Sequence, residues 1–511
     1  MEKSAHRETS TRWSTDVGRC MFPISFWDPA TVADWCDVGR VTIDMLPDVA
    51  LLEIFECYVN QAREEEDPYD PYERWLTIQT WHTLVHVCRK WRRIVLGSPG
   101  RLDLRLFCKD TTPVKETLAV WPPLPIVIGQ HNQPEQSMDN IIAALERNDR
   151  VCEIRLKFAT KLELEEVLAA MQQRFPALTH LEMWLPELED ETLVVPGSFL
   201  GGSAPRLQYL QFDHIPFPGL PKLILSATGL VDLHLIDIPH SGYISPEAMA
   251  RCLSTLTSLE ELTLQFKSPL SRPLRESQRS HSPTRSVLLA LTEFWFQGVS
   301  EYLEDLVARI DAPLLDTFDI RFFHQLIFDT PKLTQFIART PNTQPPVEAR
   351  IAFSDRDVVV TCPGTFARSF SLGISCRQSD WRLSSLAQVC SLSFPEAFIP
   401  GVEVLYIYEH EYFQPRWQDD IEDSQWLEAL HLFTAVKYLY LSQELASRIA
   451  PALQELASEV LPSLQNIFLE DLHPSVPVQG AIGKFVAARQ LAGHHIAVSL
   501  GWKTRQMVGA R

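Results

Sequence analysis

Apolar residues recur along this chain in two rhythms. Near the N-terminus they follow a helical step. Leu51, Ile54, Phe55 and Tyr58 fall at i, i+3, i+4 and i+7, which makes one apolar stripe. Pro47 suits the first helical position because its φ is already fixed near the helical value. Trp81, Leu84, Val85, Cys88, Trp91 and Val95 repeat the step, predicting a second helix over residues 75–96. Gly97-Ser98-Pro99-Gly100 ends it, with glycine as C-cap and proline beyond. Between the two helices, residues 61–73 are acidic and hold Pro68 and Pro71, so a solvated loop is predicted.

From about residue 125 strand and helix patterns alternate. Short apolar runs at 126–128 and 151–156 predict strands, and 138–147 predicts a helix. A further helix carries Leu164, Val167, Leu168, Met171 and Phe175 at three- and four-residue steps. Ser245 and Pro246 open another as N-cap and first residue. Ser300 opens one with Leu303, Leu306, Val307 and Ile310.

The strands share a signature: Pro or Thr, any residue, an apolar residue, two more, then another apolar residue. Copies start at Pro176, Pro205, Thr228, Thr257, Pro313, Pro331, Pro400, Thr434 and Pro462. Leu178 to Leu207 is 29 positions, Leu207 to Leu230 is 23, and Leu230 to Leu259 is 29. Proline ends the preceding helix and tolerates the first strand position, and each unit buries its apolar face against its neighbours.

This pattern resembles a degenerate leucine-rich-repeat solenoid. The asparagine that usually follows the L-x-x-L-x-L core is missing; Pro186, Ile215, Ile238 and Lys267 stand there, so no regular asparagine ladder is expected. Residues 268–286 are rich in Ser, Arg and Pro and predict a loop, and 345–376 predicts β-hairpin excursions rather than repeats. A helix near 480–491 and a short strand at 496–500 close the chain. The expected fold class is α/β, an N-terminal helical domain followed by an irregular repeat of strands and helices. The expected organisation is a loosely ordered tail (1–40), a helical domain (41–110), a linker with the first repeat unit (111–149), the repeat (150–500) and a C-terminal tail (501–511). Five large aromatics, Trp13, Phe22, Phe26, Trp27 and Trp35, imply that part of the first tail docks on the body.

Charge and cysteine usage narrow the partners. The 511 residues carry 65 acids against 46 Lys and Arg, a formal net charge of -19. A field of that sign repels phosphate backbones and anionic membranes and favours basic partners weakly. No signal-peptide core and no run of about 18 apolar residues is present, so a cytoplasmic or nuclear location is expected. The ten cysteines are scattered without a C-x-x-C pair, which fits reduced thiols and no metal site.

The N-terminal helices carry Leu46-Pro47, Leu51-Leu52, Ile54-Phe55 and, later, Val87-Cys88-Arg89-Lys90-Trp91-Arg92. This pattern resembles an F-box. Gly97-Ser98-Pro99, Leu102, Leu104 and Trp121-Pro122 extend the likeness to a fungal group of F-box proteins with degenerate leucine-rich repeats. The resemblance implies that Leu46, Pro47, Leu51, Leu52, Ile54, Phe55, Val87, Cys88 and Trp91 bind a Skp-type adaptor, and through it a cullin and a RING subunit. The repeat would then hold a protein substrate for ubiquitin transfer by proximity. It implies no catalytic residue and no cofactor on this chain. The alternative is an interaction scaffold that binds the adaptor outside a ligase. The bland reading is that these apolar residues are simply the core of a small helical domain; against it, so small a domain leaves apolar groups uncovered.

A second candidate lies at 406–426, where Tyr406, Tyr408, Tyr412, Phe413, Trp417 and Trp426 are interleaved with Glu409, Glu411, Asp419, Asp420, Glu422 and Asp423; of these Tyr408, Tyr412, Phe413, Trp417, Asp419 and Asp420 are the candidate substrate-binding residues. Aromatics among acids suit a basic peptide; alternatively the aromatics pin a long loop while the acids stay solvated. Ser282-Pro283 among Arg272, Arg275, Arg279 and Arg285 allows a phosphorylation switch or only a surface loop. His494-His495 lacks a third metal ligand nearby in sequence, and His86 beside Cys88 makes no nucleophilic pair. No G-x-G-x-x-G, P-loop, G-x-S-x-G or H-E-x-x-H occurs, so no enzyme is expected.

Overall fold

The computed structural model divides into two units, residues 1–103 and 104–511. It describes residues 43–64, 80–108, 113–129, 138–186, 194–269, 285–325, 328–340, 345–364, 369–375, 379–394, 398–410, 413, 415, 417, 423–455, 460–470 and 476–502. The tail at 1–40 and the Arg-rich stretch with Ser282-Pro283 lie outside these residues.

In the first unit a short turn, Ile43–Met45, leads into α1, Asp48–Glu64. The expected loop from residue 61 therefore starts later, because the helix runs on to Glu64. Leu51, Phe55 and Val59, four apart, are wholly buried. Asp48 suits the positive helix N-terminus and meets Lys90 at 3.7 Å and Arg93 at 3.4 Å.

The expected single second helix is two: α2, Trp81–Val87, and α3, Arg89–Gly97. Cys88 breaks it with an extended backbone (φ -157°, ψ 172°). Its sulfur accepts the Trp91 N–H at 3.5 Å, and Arg92 Nε donates to the Val85 carbonyl at 3.0 Å, so the exposed backbone groups at the break find partners. The break lets Trp81, Leu84 and Val85 from one helix and Ile94 and Val95 from the other enter the same core. Gly97 is the last helical residue, and Ser98 is the cap.

The second unit is built on one sheet of sixteen described strands. Its first seven are β1 (Leu106–Cys108), β2 (Ile126–Gly129), β3 (Val151–Lys157), β4 (His180–Trp184), β5 (Tyr209–Asp213), β6 (Asp232–Ile238) and β7 (Glu261–Phe266), each parallel to the next. β8 (Ser286–Val287) pairs apart with β10 (Ile310–Asp311), while β9 (Glu293–Gly298) joins β7 and is followed by β11 (Thr317–Phe323). Helices such as Pro246–Leu253 and Ser300–Val307 connect the strands. Ser245 caps the first of these as expected, its Oγ accepting from Ala248 N at 3.2 Å.

One in-register column shows what holds the stack together. Ile154, Leu181, Leu210, Leu233, Leu262, Phe294 and Phe318 sit side by side on successive strands, and all are buried. Alternate residues point to the other side of the sheet, as strand geometry requires. The leucine-rich-repeat-like strand–helix pattern expected from the sequence corresponds to this stack.

Eight of the nine signature copies precede strands, but the leading prolines lie in turns: after Pro176, Pro205 and Pro462 the strands begin at His180, Tyr209 and Asn466. The copy at Pro331 is a helix instead, Pro331–Arg339. Leu333 and Phe336, three apart, suit a helix as well as a strand. Glu304 decides the matter by accepting the Lys332 and Leu333 N–H groups at 2.9 and 2.6 Å. The strand Glu293–Gly298 carries Leu291-x-x-Phe294 without the leading Pro or Thr, which hid it from the signature.

The stretch 345–376, expected as hairpin excursions, is spliced into the sheet. β13 (Asp357–Pro363) runs antiparallel between β12 (Glu348–Phe353) and β14 (Ser369–Ser375), while β14 pairs parallel with β11 and β12 pairs parallel with β15 (Val404–Glu409). The order is therefore β11-β14-β13-β12-β15, followed by β16 (Tyr438–Leu441), β17 (Asn466–Leu469) and β18 (Ala497–Leu500). Gly373 belongs to this splice: a Cβ there would meet Val359 Cγ2 at 3.1 Å and Arg321 Cγ at 3.4 Å.

Candidate functional site

Two surfaces stand out, one in each unit. In the helical unit the apolar stripe read from the sequence separates into two roles. Leu51 and Phe55 are fully buried, and Phe55 lies 4.6 Å from the half-buried Trp91 ring. Leu46, Leu52 and Cys88 are half-buried, while Pro47 is exposed. Ile54 and Val87 stay 47% and 58% exposed, with Ile43, Met45, Val49 and Tyr58 also exposed. Ile54 and Tyr58 are one turn apart on α1. The Thr83 hydroxyl reaches Tyr58 Oη at 3.5 Å, and Val87 lies one turn beyond Thr83 on α2. Tyr58 and Thr83 thus bring the two helices together at their surface, and Ile54 and Val87 are exposed one turn away on each helix. Trp91 Nε1 is buried without a hydrogen-bond partner among the described residues.

In the second unit the side of β5, β6, β7 and β9 opposite the buried column was not legible as a site in the one-dimensional pattern. Its outward residues are Tyr209, Gln211 and Asp213; Asp232 and His234; Glu261, Thr263 and Gln265; and Glu293, Trp295 and Gln297. Asp232, Glu261 and Glu293 stand directly opposite one another across three adjacent strands. Like charges in register repel. Burial, and then Asp232, Glu293 and Glu260, push the Glu261 carboxyl above its usual range; burial and Glu260 do the same to Asp232. His234 lies 3.8 Å from Glu261 and shares a 2.9 Å contact with Thr263. Burial lowers the His234 pKa, so its ring stays neutral and does not balance the acids. Neighbouring arginines are committed elsewhere: Arg155 to Glu153 and Glu182, Arg321 to Asp319 and Asp357.

Because the folded pKa of Glu261 is raised, its contribution to stability is present at low pH and lost as pH rises through the folded value. Glu261→Gln is therefore expected to melt above wild type at pH 7. The gap should narrow as pH falls towards the ordinary glutamate value of 4.5. Melting curves of both proteins across this range check it; a pH-independent gap rejects it.

At the C-terminal ends of β5 and β6, His214 sits between two acids, with Nδ1 2.6 Å from Asp213 and Nε2 3.5 Å from Asp237. His214 and Asp237 both take left-handed backbone (φ 57° and 48°), and at Asp237 the β6–β7 register slips. Both ring nitrogens face carboxylates, so a metal ion would have to displace one of these contacts.

Of the second sequence candidate, Tyr412, Asp419 and Asp420 lie outside the described residues. Trp417 packs against the core, 5.2 Å from Phe353 and 6.2 Å from Trp426, under Arg448 and hydrogen-bonded to Glu409. Tyr408 is half-buried on β15, and Phe413 is exposed with its carbonyl accepting from Asp355 N at 2.9 Å. Next to them Tyr406, Tyr440 and Phe468 stack across β15, β16 and β17 at 4.3 Å spacings.

Ser385 Oγ lies 3.2 Å from His324 Nδ1; Ser385 is only 4% exposed, His324 is half-buried, and both line a cavity of about 390 Å³. Buried Cys108, Cys252, Cys362 and Cys390 have thiol pKa values raised by desolvation, which keeps them unreactive. No helix among the described residues is long and apolar enough to cross a membrane.

No family model and no curated protein matches the chain. Among solved structures it is similar to LegL7, a leucine-rich repeat-containing protein from Legionella pneumophila. The two are 14% identical, the match covers 76% of this chain and 97% of that one, and the TM-score is 0.26. At that TM-score the two chains do not superpose closely, and the strand–helix repeat is established by this chain's own register.

Proposed function

We propose that this chain is a substrate receptor of a Skp–cullin–F-box ubiquitin ligase. The helical unit would dock on the Skp-type adaptor, and the repeat unit would hold a protein substrate. The observation that carries this reading is the exposure of Ile54, Tyr58 and Val87 on a unit whose core is already filled by Leu51, Phe55, Trp81, Val85 and Val95. Exposed apolar residues grouped together favour a partner. The Leu46-Pro47 and Val87-Cys88-x-x-Trp91-Arg92 resemblance names the partner class. In this reading the chain performs no chemistry, and its role is proximity: holding substrate lysines near a charged conjugating enzyme raises their effective concentration.

A second reading, an adaptor-binding scaffold outside a ligase, shares the same residues. Tagged full-length protein is expected to co-purify both adaptor and cullin. Adaptor without cullin selects the scaffold; neither rejects both.

A further inference from the structure

We infer that the cavity at the splice between β11 and β15 binds a small, uncharged aromatic molecule of about two fused rings that carries one hydrogen-bond donor. This goes beyond the receptor reading and does not rest on it.

The local sequence explains why a cavity forms here. β12, β13 and β14 are joined through residues 354–356 and 364–368, connections too short to add a covering helix. Prolines border the same place: Pro345 and Pro346 precede β12, and Pro363 ends β13. Proline has no N–H with which to extend a ladder, so the sheet stops at that edge. Ile337 and Thr340, from the helix Pro331–Arg339 and its cap, close the other side. The space left is about 300 Å³. That is the lower end of the range for small-molecule sites, and about twice the 150 Å³ or so that holds one benzene.

The lining sets the ligand class. Leu315, Phe318, Ile337, Cys362, Phe370 and Phe398 line the cavity, and all are buried in the protein. Phe370 stands edge-on to Phe318 at 5.6 Å and to Phe398 at 6.1 Å. Three rings so arranged offer both faces and edges to a flat aromatic guest. Burial pushes the Cys362 thiol up to about 12, so it stays protonated and acts as an apolar wall.

Charge sets the rest. Asp316, Glu348 and Arg350 line the same cavity. Arg350 Nε donates to Glu348 at 2.6 Å, and its guanidinium lies 5.9 Å from the centre of the Tyr406 ring. Two carboxylates against one guanidinium leave a formal charge of minus one, which repels an anionic guest. The same carboxylates accept a hydrogen bond from a guest hydroxyl.

The test is isothermal titration calorimetry of the full-length protein with 2-naphthol, 2-naphthoate and 1-hydroxypyrene. 2-Naphthol is expected to bind saturably, one per chain, and to raise the melting temperature. 2-Naphthoate keeps the two rings but carries a carboxylate, and should bind at least about tenfold more weakly. 1-Hydroxypyrene keeps the hydroxyl but doubles the rings, and should not bind. Cys362→Phe and Ile337→Phe each push a larger side chain into the space, and each should weaken 2-naphthol binding at least about tenfold. Melting curves show which of the two variants stays folded, and the size and charge series on wild type decides the matter without them. No saturable 2-naphthol binding, equal binding of 1-hydroxypyrene, or undiminished binding to a folded filled variant overturns the inference. Co-purification of the adaptor with wild type is read separately, so either result leaves the other standing.

Discussion

Aspartate placed at both Ile54 and Val87 will abolish capture of the adaptor and leave the helical unit folded. Both side chains are about half exposed, at 47% and 58%, and surface substitutions away from special features usually change stability by less than about 0.5 kcal/mol. The same two carboxylates pressed into an apolar interface would be desolvated without partners, at several kcal/mol. A loss of at least about a hundredfold in affinity follows. Phe55→Ala is the contrasting variant. Phe55 is wholly buried against Trp91, so its truncation should cost about 3–5 kcal/mol of folding and lose the adaptor only by unfolding the unit. Adaptor titration of each variant beside its thermal melt separates the two cases. Unchanged affinity in the folded Ile54/Val87 double variant would remove the adaptor-docking role from these residues.

The largest loss of stability in the repeat unit is expected from Phe318→Ala. Phe318 stands where the parallel stack meets the antiparallel splice, with Phe294 at 5.2 Å and Phe336 and Phe370 at 5.6 Å. It also lines a cavity of about 300 Å³ shared with Leu315, Ile337, Cys362, Phe370 and Phe398. The space left by the ring would merge with that cavity, so its neighbours have little to collapse onto. The upper part of the usual 3–5 kcal/mol range for Phe→Ala is expected. Chemical denaturation reads it as a lower midpoint; Phe318→Leu should recover most of the loss, because it returns most of the buried volume. A cost for Phe318→Ala below about 1 kcal/mol would show that this junction does not depend on the ring.

Much of the architecture was legible locally. The step of Leu51, Ile54, Phe55 and Tyr58 placed α1, and Ser245-Pro246 placed the start of a helix, because capping and helical period act within a few residues. Apolar pairs three apart marked eight strands for the same reason, and they misled at Pro331, where Leu333 and Phe336 serve helix and strand equally. The adaptor candidates were legible only as a set. Periodicity names the residues of a stripe, but packing, such as that of Phe55 on Trp91, decides that Leu51 and Phe55 are core and that Ile54 and Val87 are surface.

The sequence by itself determined which residues pair an apolar side with a polar side, and so the alternation of strands and helices with one buried face per strand. Only the tertiary structure decided which strands are neighbours. That choice put β14 rather than β12 beside β11, and it set Asp232, Glu261 and Glu293, 29 and 32 positions apart in the chain, in one row across three strands. The physical reason is range: side-chain alternation and capping are settled between adjacent residues, whereas register is settled by packing between segments far apart in the chain.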